Sequence, residues 1–238
     1  MPAPIPAKNL VLVPGLLCTA DLFRAQIAAL DGRGCVVHVA DHSSDASVAS
    51  IAGRILADAP PRFALAGLSM GGYIAFEIMR QAPERVERLA LLDTSARPDM
   101  PEQSENRRRL VALAEKKGVA VPAREMFAKL VAPSRADDAE LLTTFLAMAA
   151  ATGTDGFSRQ QTAIAARPDS RPTLAAISCS TLVLVGAEDQ LTPPPLAEEI
   201  AQGIPGARLA VIPGSGHLST LEAPEAVNDA LNGWLTQP

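Results

Sequence analysis

The hydrophobic pattern changes at the centre of the segment Phe63-Ala-Leu-Ala-Gly-Leu-Ser69-Met-Gly-Gly-Tyr-Ile-Ala-Phe-Glu-Ile-Met79. Residues 63–66 are apolar at consecutive positions, which is typical of a strand covered on both faces in a parallel sheet. A helical pattern begins at Met70, and glycines stand two residues before and after Ser69. This G-x-S-x-G pattern predicts a sharp strand-to-helix turn, a nucleophile elbow, that holds the serine hydroxyl clear of the sheet edge. The alternative, a turn whose serine only caps the helix, fits less well because a buried strand precedes it.

Short apolar runs and helix-length segments alternate along most of the remaining chain. The predicted strands are Asn9–Val13, Cys35–Ala40, Phe63–Ala66, Arg88–Leu92, Thr181–Val185 and Arg208–Ile212. The predicted helices between them are Asp21–Leu30, Ser47–Ala59, Met70–Gln81, Pro194–Gln202 and Pro224–Leu235. This alternation predicts an α/β protein with a mostly parallel sheet of about six strands and helices that cross over its faces.

The interval 97–172 interrupts this alternation, because it is rich in Ala, Leu, Glu and Arg and shows no strand pattern. We expect three or four helices there, inserted into a core domain formed by residues 1–96 and 173–238. The larger apolar residues of the insertion are Met126, Phe127, Leu130, Phe145, Met148 and Phe157. They either close the insertion's own core or form a cap over a pocket, and both interpretations stay open.

A serine at neutral pH needs a base within hydrogen-bond reach, usually a histidine oriented by a carboxylate. The chain has three histidines. His38 lies inside a predicted strand and His42 just after it, positions that are more often structural than catalytic. His217 follows the last predicted strand, and Asp189 follows the fifth. Because the carboxyl ends of parallel strands meet at one edge of a sheet, we expect Ser69, Asp189 and His217 to converge there as nucleophile, acid and base.

The chain resembles the α/β-hydrolase fold family from Leu10 to Leu235, least so in the insertion. The matching segments are GLSMGG at 67–72, VGAEDQLTP at 185–193 and GSGHLSTLEAPEAV at 214–227. The resemblance implies a three-layer fold and the same triad order. Asp93 is the rival acid, because some members use the corresponding strand end. We prefer Asp189 for its G-x-x-D-x-x-x-P setting, expect Asp93 to be structural, and expect the adjacent Glu188 to point elsewhere.

The family also implies an oxyanion hole made of two backbone N–H groups. One belongs to Met70, directly after the nucleophile. The other belongs to Leu16, which ends a loop where Pro14 replaces the family's usual histidine. Cys18 is expected to be a buried, inert thiol. Since only eight residues precede Asn9, we expect a sheet without the N-terminal hairpin that the family's eight-stranded sheet carries.

Composition excludes several other functions. The chain has 238 residues and a net charge of −5 from 21 Lys and Arg against 26 Asp and Glu, which argues against a nucleic-acid-binding surface. Three cysteines without a close pair exclude a paired disulfide framework and a CxxC metal site, and they fit a reducing compartment. The sequence shows no signal-peptide pattern and no apolar run of membrane-spanning length. We therefore expect a cytoplasmic protein that does not bind membranes.

The residues around the elbow narrow the expected reaction. A serine at this position argues against epoxide hydrolases and haloalkane dehalogenases, relatives that use aspartate there. Leu218 after His217 argues against carbon–carbon hydrolases, which usually carry an aromatic residue at that place. The resemblance favours the carboxylesterase, enol-lactonase and cofactor-free haloperoxidase branch. We expect a serine hydrolase that cleaves small to medium carboxylic esters through an acyl-enzyme, with no metal or organic cofactor. The alternatives are a lactonase and a ligand receptor with little turnover.

Overall fold

The computed structural model describes residues 7–236, in which six strands form one parallel sheet. The strands are β1 Asn9–Val13, β2 Val36–Val39, β3 Phe63–Leu68, β4 Val86–Leu92, β5 Ser180–Gly186 and β6 Arg208–Ile212. Their order across the sheet is β2-β1-β3-β4-β5-β6, and every neighbouring pair is parallel. The predicted α/β class and strand number are confirmed. Residues 1–6 and 237–238 of the predicted core domain lie outside the described residues.

Nine α-helices lie in the described part of the chain. They are α1 Arg24–Leu30, α2 Val48–Asp58, α3 Met70–Gln81, α4 Pro101–Lys117, α5 Ala120–Leu130, α6 Ala139–Ala165, α7 Pro194–Gly203, α8 Ser219–Glu222 and α9 Pro224–Thr236. Within residues 7–236, every helix falls short of the length or the apolarity that a transmembrane span requires.

Side chains that alternate along the strands form two hydrophobic cores, one on each face of the sheet. Leu10 and Leu12 of β1 pack with residues of α1 and α9 on one face. Val11 and Val13 of the same strand pack with α2, α3 and α7 on the other. The predicted three-layer arrangement is therefore confirmed, and it explains why the central strands are apolar at consecutive positions.

The strand that leads to Ser69 is longer than predicted. The sequence pattern ends it at Ala66 because glycine is unfavourable in strands, whereas the structure continues β3 to Leu68. Gly67 and Leu68 pair with Leu91 and Leu92 of β4, so the sheet holds the chain up to the residue before the serine.

Helices α4, α5 and α6 occupy the interval between β4 and β5. Helix α6 changes direction at Gly153, whose φ of 71° is a conformation that glycine adopts without a steric penalty. Phe127 and Phe145 of this interval belong to the same hydrophobic core as Leu68 and Leu218 of the sheet region. The apolar residues of the insertion therefore cover the sheet region and do not only pack against one another.

Candidate active site

Ser69 stands between β3 and α3 in a strained backbone conformation. Its φ of 56° and ψ of −113° lie where residues other than glycine rarely occur, at a cost of about 1–3 kcal/mol. Two hydrogen bonds hold this conformation: the Ser69 N–H donates to the Leu92 carbonyl at 2.9 Å, and the Thr94 hydroxyl donates to the Ser69 carbonyl at 2.8 Å. Strand β4 and the loop after it therefore fix the serine at the edge of the sheet.

The glycines on both sides of Ser69 permit close contact between α3 and the sheet. A Cβ atom on Gly67 would lie 2.2 Å from the Gly71 carbonyl oxygen. A Cβ atom on Gly71 would lie 2.0 Å from the carbonyl oxygen of Val13 in β1. Either side chain would push α3 away from the sheet, which is the physical reason for the G-x-S-x-G spacing.

The structure brings Ser69, His217 and Asp189 together at this edge. The Ser69 hydroxyl donates to Nε2 of His217 over 2.8 Å, and Nδ1 of His217 donates to Oδ2 of Asp189 over 2.8 Å. All three side chains are buried, and Ser69 is 8% exposed. The order hydroxyl, imidazole, carboxylate is the one required to activate a serine for nucleophilic attack.

The loop after β5 holds Asp189 in place through Thr192. The N–H groups of Leu191 and Thr192 donate to Oδ1 of Asp189 at 2.8 and 2.9 Å. The Thr192 hydroxyl donates to Oδ2 at 2.7 Å. Sequence reasoning missed Thr192, although a threonine three residues after an aspartate is a local pattern typical of such turns.

Charge and burial act in opposite directions on the pair of Asp189 and His217. Burial alone would raise the pKa of Asp189, but the charge of His217 and the hydrogen bonds from His217 and Thr192 lower it to about 2. Burial alone would lower the pKa of His217, but the charge of Asp189 and its hydrogen bond raise it above the ordinary value. Asp189 is thus ionised at neutral pH and stabilises a proton on His217.

Asp93, the rival acid, has other partners. Its Oδ1 accepts from the Gly186 N–H at 2.8 Å, and its Oδ2 is hydrogen-bonded to the Ser219 hydroxyl. Burial, reinforced by the charge of Asp189, raises the pKa of Asp93 to about 8. Asp93 therefore joins the end of β5 to the segment after His217, and its raised pKa favours the neutral carboxylic acid.

Glu222 organises the loop that carries His217, and no sequence pattern pointed to it. Its buried carboxyl group accepts hydrogen bonds from the N–H groups of Ala132, Gly216 and Leu218 at 2.8–3.1 Å. Burial raises its pKa, although these three donors oppose the shift. The loop is thereby joined to the C-terminal end of α5. Glu188, the acidic residue next to Asp189 in the sequence, is exposed.

Two backbone N–H groups near Ser69, those of Leu16 and Met70, donate to no acceptor within residues 7–236. Met70 is the first residue of α3, so its N–H has no acceptor within the helix and lies at the positive end of the helix dipole. A Cβ atom on Gly15 would lie 3.4 Å from Cβ of Ser69, which places the next residue, Leu16, beside the elbow. Within residues 7–236, the Leu16 N–H donates to no protein acceptor.

The other candidate residues make no hydrogen bond to Ser69, His217 or Asp189 within residues 7–236. Nε2 of His42 is 2.9 Å from the Gly15 carbonyl oxygen, and His38 is half-buried on the edge strand β2. Cys18 is buried, and burial raises the pKa of its thiol to about 12, so the thiol is inert. In the part of the chain that the structure describes, His, Cys, Asp and Glu side chains form no cluster suited to a metal ion.

A parallel sheet with a strained serine at the carboxyl end of a central strand is the arrangement of the α/β hydrolases. Residues 10–230 match the model of the alpha/beta hydrolase family. The chain belongs to this family, and the resemblance seen in the sequence is confirmed.

The similarity to known proteins covers most of the chain. The pimeloyl-[acyl-carrier protein] methyl ester esterase of Nitrosomonas europaea is 29% identical over 210 residues, which cover 85% of this chain and 81% of that protein. A thermophilic esterase from Thermogutta terrifontis superposes with a TM-score of 0.87 at 32% identity, covering 99% of this chain and 92% of the esterase. The enol-lactonase from Burkholderia xenovorans LB400 superposes with a TM-score of 0.86 at 26% identity, covering 97% of this chain and 92% of the enol-lactonase. These superpositions therefore include most of the residues between β4 and β5.

Proposed function

We propose that the chain hydrolyses carboxylic esters of small to medium size through an acyl-enzyme formed on Ser69. The observation that carries this proposal is the continuous relay in which Ser69 contacts His217 and His217 contacts Asp189, each over 2.8 Å. Such a relay removes the serine proton as the hydroxyl attacks, which is the chemistry of acyl transfer.

Each residue has one role in the proposed reaction. Ser69 Oγ bonds to the ester carbonyl carbon while His217 takes its proton, and the carbonyl π electrons move to the oxygen. The N–H groups of Leu16 and Met70 stabilise that oxyanion, and a donor of this kind is typically worth about 10²–10³ in rate. Collapse of the intermediate expels the alcohol with the proton from His217. Water, deprotonated by His217, then attacks the acyl carbon; the bond to Ser69 Oγ breaks, Oγ takes the proton back from His217, and the carboxylic acid leaves. Asp189 orients the imidazole throughout.

The similar proteins support this substrate class. Two of them are named esterases, and the third is an enol-lactonase. A lactone is a cyclic ester, so the same groups would open it by the same steps. Lactone hydrolysis is the second candidate function, and the full-length similarity to the enol-lactonase favours it.

We further propose that residues 97–172 form a cap that selects the substrate, while the remaining residues form the core domain. Ser69 is only 8% exposed, so a substrate reaches it through the layer above the sheet. Phe127 and Phe145 contribute to that layer, with ring centroids 6.2 Å apart. Side chains in this position would set the length and shape of the accepted acyl group.

The direct test is a panel of p-nitrophenyl esters from acetyl to palmitoyl, assayed beside simple lactones. We expect hydrolysis that is fastest for short or medium acyl groups and is abolished in Ser69→Ala. Faster turnover of lactones than of every ester would favour the second candidate. Absence of turnover, together with a large thermal shift on adding an ester or lactone, would contradict both candidates and indicate a receptor.

A further inference from the structure

The loop that carries the proposed oxyanion donor Leu16 is strained on its C-terminal side. Leu17 has a φ of 62°, which residues with a branched side chain rarely adopt, and it is fully buried. A strained, buried residue keeps its conformation only where the surroundings determine it, and its buried N–H needs an acceptor.

Gln160, located 143 residues away on α6, provides that acceptor. Its Oε1 accepts from the Leu17 N–H at 3.1 Å, and the whole Gln160 side chain is buried. An unpaired amide buried in an apolar environment is strongly unfavourable, so the hydrogen bond accounts for a polar side chain at this position.

The same side chain reaches the other side of Leu16 through His42. Nε2 of His42 lies 2.9 Å from the Gly15 carbonyl oxygen, to which it donates in the tautomer protonated at Nε2, and Nε2 of Gln160 then packs against the same ring nitrogen at 3.2 Å. The carbonyl before Leu16 and the N–H after it are therefore both in contact with one buried pair. The Leu16 N–H shares a peptide plane with the Gly15 carbonyl that His42 contacts, and Gln160 holds the next peptide plane through the Leu17 N–H, so the pair restrains both planes that meet at Leu16.

The segment after β2 joins the same arrangement. Arg159 of α6 donates through Nε to the Ser43 carbonyl at 2.8 Å, next to His42. Gln161, the other neighbour of Gln160, accepts from Arg107 of α4 at 2.8 Å and has no hydrogen bond to the Gly15–Leu17 loop. Only one of the two adjacent buried glutamines thus reaches the proposed oxyanion hole.

Resting on the proposed function, we propose that Gln160 is a positioning residue that holds the Leu16 N–H in the direction of the oxyanion. The insertion then takes part in catalysis without touching the reacting atoms, because one of its side chains fixes the geometry of the oxyanion hole. Loss of this contact would weaken binding of the transition state more than binding of the substrate.

The test compares Gln160→Met, which fills a similar volume without an acceptor, with Gln160→Glu, which keeps an acceptor for the Leu17 N–H. Gln161→Met is the matched control. For Gln160→Met we expect kcat to fall roughly 10–100-fold with KM changed less than about threefold, since a misdirected donor loses part of the 10²–10³ that a removed one loses. Inhibition by a trifluoromethyl ketone, which forms an oxyanion on Ser69, should weaken by a similar factor. Gln160→Glu should recover most of the loss, and Gln161→Met should behave as wild type.

Each outcome has a distinct meaning. If Gln160→Met folds and retains the wild-type kcat and ketone affinity, the positioning role is wrong. Equal losses in Gln160→Met and Gln161→Met would also overturn it, because they would indicate a general effect on α6. If Gln160→Met does not fold, Gln160→Asn, which withdraws the acceptor by one methylene, carries the same expectation of reduced kcat at constant KM. Wild-type protein without ester or lactone turnover would instead refute the proposed function.

Discussion

Replacing Asp93 with Asn tests whether this buried carboxyl group carries a proton at neutral pH. Asparagine has the same shape, can accept from the Gly186 N–H and can donate to the Ser219 hydroxyl, the two partners that Asp93 has in the structure. The fold should therefore be retained. The variant differs from the wild type mainly in that residue 93 cannot ionise.

The magnitude follows from the pKa of Asp93, which is raised to about 8 in the fold against ~3.9 in an unfolded chain. Between these values the folded chain holds a proton that the unfolded chain has released. The contribution of the neutral carboxyl to stability is thus complete below about pH 4 and is lost as the pH rises toward 8, by about 1.4 kcal/mol per pH unit. From about pH 5.5 to 7, the wild type should lose roughly 2 kcal/mol relative to Asp93→Asn.

Urea unfolding of both proteins at several pH values in this window measures the difference directly. All other titrating groups are common to the two chains, so they cancel to a first approximation in the comparison. Parallel stability profiles would refute the argument, because they would mean that Asp93 is ionised in the fold. Ester hydrolysis should stay within a few-fold of wild type, and a folded but inactive Asp93→Asn would identify Asp93 as the orienting acid in place of Asp189.

Substitutions at three further positions test separate parts of the site. Asp189→Asn should lower kcat by about 10⁴ with the fold retained by circular dichroism, as the equivalent change does in a serine protease. Glu222→Ala leaves three buried N–H groups without their acceptor and should lower the free energy of unfolding by about 3 kcal/mol in urea, whereas Glu222→Gln should lose less. Phe145→Ala should change the ratio of kcat/KM for long and short acyl esters by roughly 10–200-fold; an unchanged ratio would contradict the cap.

The fold was predictable because its signals are local. Short apolar runs identified the six strands, most of them apolar at consecutive positions, and G-x-S-x-G identified the turn after β3, since the close contact of Gly71 with Val13 leaves no space for a side chain. The end of β3 was not predictable from Gly67 itself, because pairing with β4 overrides the low strand propensity of glycine.

The three site residues could be selected from sequence because each follows a strand, and parallel strands end at one edge. Their supporting residues could not be selected in the same way. Glu222 receives a hydrogen bond from Ala132, which is 90 residues away, and Gln160 reaches Leu17 across 143 residues. Such contacts depend on how α5 and α6 pack over the sheet, and no local periodicity encodes them.

The central claim is that Ser69 is the nucleophile, and covalent labelling tests it most directly. After incubation with a fluorophosphonate, intact mass followed by peptide mapping should show one adduct, located on Ser69, and no adduct in Ser69→Ala. The relay of 2.8 Å contacts through His217 to Asp189 is the reason to expect reaction at this hydroxyl alone. An adduct on another residue, or undiminished labelling of Ser69→Ala, would contradict the claim.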